Sequence, residues 1–153
     1  LDEYYMKLAL EEAKKAYDKG EVPIGAIVVR RGEIIGRGHN LREELRDATA
    51  HAEIIAIQRA CEKAGGWRLT DTVLYVTIEP CPMCSGAILQ SRIERVVIGA
   101  MDSKSGACGS VVNLLSNKGF NHQTEITTGV LEEEASTIMK EFFKSLRNSR
   151  TKG

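Results

Sequence analysis

The sequence lacks any apolar run near the roughly twenty residues that a membrane-spanning helix needs, so no span is expected. Charges recur through the first segment (Asp2, Glu3, Lys7, Glu11, Glu12, Lys14, Lys15, Asp18, Lys19), and no secretory leader is read there. A cytoplasmic location is expected. Net charge is also missing: 21 Lys and Arg face 21 Asp and Glu. A neutral chain is not a general polyanion binder, so any contact with nucleic acid must use a local positive field. Cysteine is scarce, with Cys61, Cys81, Cys84 and Cys108, and disulfides are not expected in an intracellular chain. The close pair Cys81 and Cys84 therefore needs another explanation. Proline occurs three times, and two of the three flank Cys81. There is no repeat, linker or low-complexity tract. What is present is a chain of 153 residues, 42% hydrophobic and 27% charged, which suits one domain over residues 1–153 with one core.

Hydrophobic spacing predicts alternating helices and strands. Tyr5, Leu8, Ala9, Glu12, Ala13 and Ala16 recur at helical spacing, which predicts a helix from about Glu3 to Lys19, stopped by Gly20. Ile24 to Val29 and Glu33 to Gly38 read as a hairpin turning at Arg31-Gly32. After a polar loop, a helix is expected from about Ala50 to Ala64, with Thr49 as N-cap and Gly65-Gly66 beyond its end. Thr72 to Thr77 reads as a strand, and Pro82 opens a helix running to about Ser91. Arg95 to Ala100 is a further strand, and the Gly- and Ser-rich stretch from Asp102 to Ser110 is a loop. A short helix over Val112 to Leu115, a fifth strand over Glu125 to Val130 and a terminal helix from Leu131 to about Arg147 complete the reading. A central sheet sandwiched by helices accommodates this order.

Two motifs carry chemistry: His51-Ala52-Glu53 and Pro80-Cys81-Pro82-Met83-Cys84. Each falls at the start of a predicted helix. Positions three apart on a helix share a face, so Cys81 and Cys84 can address one ion. Side chains lean toward the helix N-terminus, and its partial positive charge favours thiolates. His51 can likewise reach beyond its own helix end. A His, Cys, Cys set suits tetrahedral zinc and leaves the fourth position for water, the mark of a catalytic site. Glu53 would stand beside that water without binding the metal. Zinc brings the pKa of its water to about 7, and Glu53 would shuttle protons, a role that contributes roughly 100-fold to 10,000-fold. His-x-Glu followed by Pro-Cys-x-x-Cys is the signature of zinc nucleobase deaminases.

Other readings account for less. A closed structural zinc site needs a fourth protein ligand. Cys61 lies about 15 Å from His51 by helical rise, and nothing specifies Cys108. Both read as thiols without a role, one buried and one in a loop. A thioredoxin-like redox site would leave His51-Ala52-Glu53 unexplained. His39 and His122 read as structural or surface histidines, and Glu132-Glu133-Glu134 as a solvated helix start.

Nearly the whole chain resembles the bacterial tRNA-specific adenosine deaminase (TadA) family. The resemblance runs through Glu21-Val22-Pro23-Ile24-Gly25-Ala26, Gly38-His39-Asn40, Thr49-Ala50-His51-Ala52-Glu53 and Trp67-Arg68-Leu69. It continues through Leu74 to Cys81, Ser91-Arg92-Ile93, Gly106 to Ser110, Phe120-Asn121-His122 and Phe142-Phe143. It implies a cytidine deaminase-like fold of three α-β-α layers, with a five-stranded mixed sheet flanked by helices. It implies a homodimer with one Zn2+ per subunit and a site completed across the dimer interface. The implied reaction is hydrolytic deamination of the wobble adenosine to inosine in a tRNA anticodon loop. By motif position, Asn40 would hydrogen-bond the purine, Ile24 would line the pocket and the Ala52 amide would face the reacting edge. Arg42, Asp102, Lys104, Phe143 and Arg147 match positions near the anticodon stem-loop. Met101 is apolar where relatives often carry a polar residue.

The tail has five basic residues (Lys140, Lys144, Arg147, Arg150, Lys152) against Glu141, with Phe142 and Phe143 among them. Cations beside aromatic rings suit a splayed RNA loop. A solubilising tail carrying two core phenylalanines fits equally well. The enzymatic alternative is a guanine deaminase acting on the free base, which can carry the same two metal motifs. Gly106-Ala107-Cys108-Gly109-Ser110, Phe120-Asn121-His122 and the basic tail favour the tRNA enzyme. A zinc-stabilised RNA-binding module would leave Glu53 without a task.

Overall fold

The computed structural model describes residues 1–152, with side chains to Ser149. The Arg150 and Lys152 side chains, counted in the basic tail, lie outside the described residues, as does Gly153. Among the described residues, four helices and five strands follow in the order α1 (Asp2–Asp18), β1 (Gly25–Arg30), β2 (Glu33–His39), α2 (Ala52–Ala64), β3 (Thr72–Ile78), α3 (Pro82–Gln90), β4 (Arg95–Ala100), β5 (Glu125–Thr127) and α4 (Glu132–Lys152). The sheet order is β2-β1-β3-β4-β5. β1 pairs antiparallel with β2 and with β3, while β3, β4 and β5 run parallel. The expected five-stranded mixed sheet is therefore present.

Period-two alternation divides the strands between two cores. Ala26, Val28, Leu74, Val76, Val96 and Ile98 face Ala52, Ala56, Ala60 and Ile88 of α2 and α3. Ile27, Val29, Tyr75 and Val97 face Tyr5, Met6 and Ala9 of α1. Ala135 of α4 joins this side against Ile78 and Ala100. These are the three α-β-α layers.

Close backbone approach fixes α2 on β2. A Cβ at Gly36 would overlap the Ala56 carbonyl oxygen, and one at Gly38 would overlap that of Ala52. With alanines opposite glycines, the helix lies directly on the strand and its first turn sits at one end of the sheet. The hairpin turn is Arg31-Gly32, with φ of 48° and 80°. Two successive positive φ values match the twist of the strands it joins.

Several expected boundaries move. The N-cap of α2 is His51, not Thr49, and the helix starts at Ala52 rather than Ala50. Thr49 instead bonds Asp47 through its amide and hydroxyl, closing a turn before the helix. β5 ends at Thr127, short of Val130. The expected helix over Val112 to Leu115 is absent. Gly109 N–H bonds the Val112 carbonyl and Val111 N–H that of Gly106, folding the segment back into a Cys108–Asn113 bridge. Leu115 then plugs the core on the α2 and α3 side. Among the described residues, no helix is long and apolar enough to cross a membrane.

Candidate active site

Two helix N-termini converge at the ends of the strands. His51 caps α2 and Cys81 caps α3, both with extended backbone and neither with a side-chain capping bond. Their side chains project off the helix ends into shared space. Pro82 in the first turn of α3 fixes its entry. Cys84, one turn in, is fully buried.

His51 Nδ1 lies 3.7 Å from Cys81 Sγ and 3.5 Å from Cys84 Sγ. All three ligand atoms lie within 4.8 Å of one another. Ordinary zinc–nitrogen and zinc–sulfur bonds at a tetrahedral angle place N and S about 3.6 Å apart. The donor set therefore fits zinc in chemistry and spacing. Cys61 and Cys108 are not members of this cluster. Cys108 is buried beside the Ser85 hydroxyl, and Cys61 is half-buried rather than fully buried.

The electrostatics suit a cation. The Cys84 thiol and His51 stabilise the Cys81 thiolate against the cost of burial, holding Cys81 at about 4. Thiolate is the ligand form. Cys84 titrates upward, because its proton is shared with Cys81 and its site is desolvated. Glu53, in the first turn of α2, is only 4% exposed. Burial raises its carboxyl to about 7, with the Cys81 charge adding to the rise and its own backbone N–H and His51 opposing it. A carboxyl near neutrality can both take and return a proton.

These groups form one end of a cleft of about 740 Å³. It is lined by His51, Glu53 and Cys81 together with Val22, Ile24, Arg42 and Met101 to Ser105. Ser136, Met139, Lys140 and Phe143 of α4 complete the lining.

Comparison with known proteins places this arrangement. The model of the MafB19-like deaminase family matches residues 2–147. A tRNA-specific adenosine deaminase of Bacillus subtilis is 55% identical over 149 residues, covering 97% of this chain and 92% of the relative. The chain belongs to the tRNA-specific adenosine deaminase family. A solved structure from work on A-to-I editing by tRNA:A34 deaminases superposes on this deaminase with a TM-score of 0.85 and 46% identity, covering 88% of this chain and 98% of the other. A guanine deaminase of Nitrosomonas europaea is more distant, with a TM-score of 0.77 and 27% identity over 92% of this chain and 83% of its own.

Within this deaminase, the residues expected near substrate fall into three groups. Ile24, Arg42, Asp102, Lys104 and Phe143 line the cleft. Asn40 and Ala52 are buried beside it, and the Asn40 side-chain oxygen accepts from the Arg42 amide at 3.2 Å. Arg147 is exposed one turn beyond Phe143 on α4. The two tail phenylalanines have different surroundings. Phe142 is buried against Tyr17, while Phe143 is 39% exposed at the cleft. Asp102 Oδ1 accepts from the Lys104 and Ser105 amides, so that carboxylate also shapes its own loop. His39 and His122 are both structural: His39 pairs with Glu12, and His122 Nε2 bonds the Ile93 carbonyl at 2.8 Å.

Residue-by-residue reading of the sequence missed two buried acids of this deaminase. Glu21 accepts from the Glu43 and Glu44 amides at 3.0 and 2.8 Å, anchoring the loop that carries Arg42. Glu79 accepts from the loop on the opposite side. Burial would raise the Glu79 carboxyl, but the bonds from Ser110, Asp102 and Cys108 hold it below the ordinary carboxylate range. The available signal was an acidic residue beside an apolar segment, as in Ile78-Glu79-Pro80.

Proposed function

We propose that the chain hydrolytically deaminates the wobble adenosine of a tRNA anticodon loop to inosine, releasing ammonia. The observation that carries this reading is the His51, Cys81 and Cys84 donor set facing buried Glu53 at the base of an open cleft. The 55% identity to a tRNA-specific adenosine deaminase, against 27% to a guanine deaminase, supports RNA over the free base.

His51, Cys81 and Cys84 would hold one Zn2+ per subunit. That ion supplies Lewis acidity and a water nucleophile at neutral pH. Glu53 takes one proton from the attacking water and delivers it to the purine ring nitrogen, then takes the proton of the hydroxyl left on the ring carbon and passes it to the departing amine, so both water protons are accounted for. Asn40, Ile24 and the Ala52 amide orient the base. Arg42, Asp102, Lys104, Phe143 and Arg147 receive the anticodon stem-loop, with Phe143 as a stacking surface beside Lys140. A cytoplasmic location goes with this reading, because the tRNA substrate is found there.

The reading includes a homodimer in which the partner's loops complete the pocket. It is supported by exposed apolar side chains outside the cleft, among them Trp67, Val111, Val112 and Phe120. Light scattering across a concentration series is expected to give twice the mass of one chain, and a monomer throughout would refute the assembly.

The decisive assay supplies an adenosine-containing anticodon stem-loop and free guanine in separate reactions. Inosine in the RNA is expected. Xanthine formation without inosine would move the assignment to guanine deaminase.

A further inference from the structure

Glu79 follows β3 directly and is only 4% exposed. Its Oε1 accepts from the Asp102 amide at 2.9 Å and from the Ser110 hydroxyl. Its Oε2 accepts from the Cys108 amide at 2.9 Å and the Ser110 amide at 3.0 Å. All four donors belong to the loop that forms one wall of the cleft. A carboxylate offers about four acceptor positions, so this one is filled. The loop closes tightly on it: a Cβ at Gly106 would overlap the Glu79 carboxylate. Between the anchored ends, Ser103, Lys104 and Ser105 are exposed and line the cleft.

We propose that Glu79 is a positioning residue for RNA binding, fixing the Asp102–Ser110 loop in the conformation that receives the substrate. This rests on the functional reading above. Glu79 acts through the loop backbone and takes no part in proton transfer at Glu53. A loop ordered before binding spares the complex the cost of ordering it, so its effect falls on affinity. Glutamine at position 79 would turn an amide NH2 toward backbone N–H donors and free the loop. Alanine at position 106 would push the carboxylate away without removing it. The ordinary backbone angle at Gly106 leaves that overlap as the obstacle.

The test compares zinc-loaded wild type, Glu79→Gln and Gly106→Ala as full chains. Steady-state deamination of the anticodon stem-loop should show KM raised by about tenfold or more in Glu79→Gln, with kcat within about threefold. Zinc content should match wild type. Amide exchange at Cys108 and Ser110 should accelerate by about tenfold, with β4 unchanged. Gly106→Ala should move KM and exchange in the same direction, and it decides alone if Glu79→Gln fails to fold. A KM within about twofold of wild type, a loss confined to kcat or active fraction, or loop amides as protected as in wild type would each overturn the proposal. A wild-type chain inactive on the RNA would overturn the functional reading instead, and the exchange comparison would still decide whether Glu79 fixes the loop.

Discussion

His39 Nδ1 donates to Glu12 Oε1 at 2.9 Å, joining the end of β2 to α1 inside the protein. The Lys19 ammonium, which can only donate, lies 3.1 Å from His39 Nε2, so the ring proton sits on Nδ1. Lys15 donates to the other Glu12 oxygen at 2.6 Å. The network anchors the residue immediately before Asn40.

Acid stability follows from this network. Burial works to raise the Glu12 carboxyl, but the bonds from His39 and Lys15 outweigh it and hold the group at about 2. A carboxyl depressed from 4.5 stabilises the fold above about pH 4.5, and that contribution is lost as pH falls toward 2. Glu12→Gln should cost on the order of 2–3 kcal/mol at neutral pH and flatten the stability curve across that window. Urea titrations at neutral pH and near pH 3 measure this. A variant curve parallel to wild type would refute it.

Glu53→Gln should keep zinc and stem-loop binding while losing roughly 100-fold to 10,000-fold in turnover. Zinc analysis and single-turnover inosine formation check the two halves separately. Near wild-type rates would remove Glu53 from the chemistry.

Cys81→Ala and Cys84→Ala should each emerge without stoichiometric zinc. Chelation should lower the melting temperature of wild type, because a ligand bound only by the native state stabilises it by mass action, about 4 kcal/mol at a thousandfold excess over Kd. The alanine variants should melt independently of chelator. Full zinc occupancy in either would refute the ligand assignment.

Gly38→Ala adds one methyl against the Ala52 carbonyl. Overpacking of this kind costs about 1–3 kcal/mol. Because α2 carries Glu53 and follows His51, zinc affinity and turnover should fall along with stability. Thermal melts and a zinc competition assay report both, and an unchanged zinc affinity would show that α2 tolerates the shift.

The two motifs of the candidate site were legible because their signal is local. Cys81 and Cys84 lie three apart, and His51 and Glu53 two apart, so the sequence alone places each pair at one helix end. Glu12 was also visible, within the apolar stripe of α1, but its partner His39 is 27 positions away and carries no local mark. The start of α2 was misplaced because Thr49 resembles a cap, whereas its hydroxyl is taken by Asp47. The segment from Gly106 to Leu115 was read as loop and helix. Its path depends on Glu79 and on turn bonds that no periodicity encodes.

The contact between α2 and β2 also limits how this sequence can drift. Gly36 and Gly38 have no side chain to shrink. If Ala60, whose Cβ faces Gly36, grew larger, Gly36 could give up nothing to restore the space. Compensating pairs are open to the outer face of α1 or the surface of α4, but not here. The spacing between sheet and metal donors is therefore inherited as a fixed distance, and variation among functional descendants of this chain should gather in the cleft loops instead.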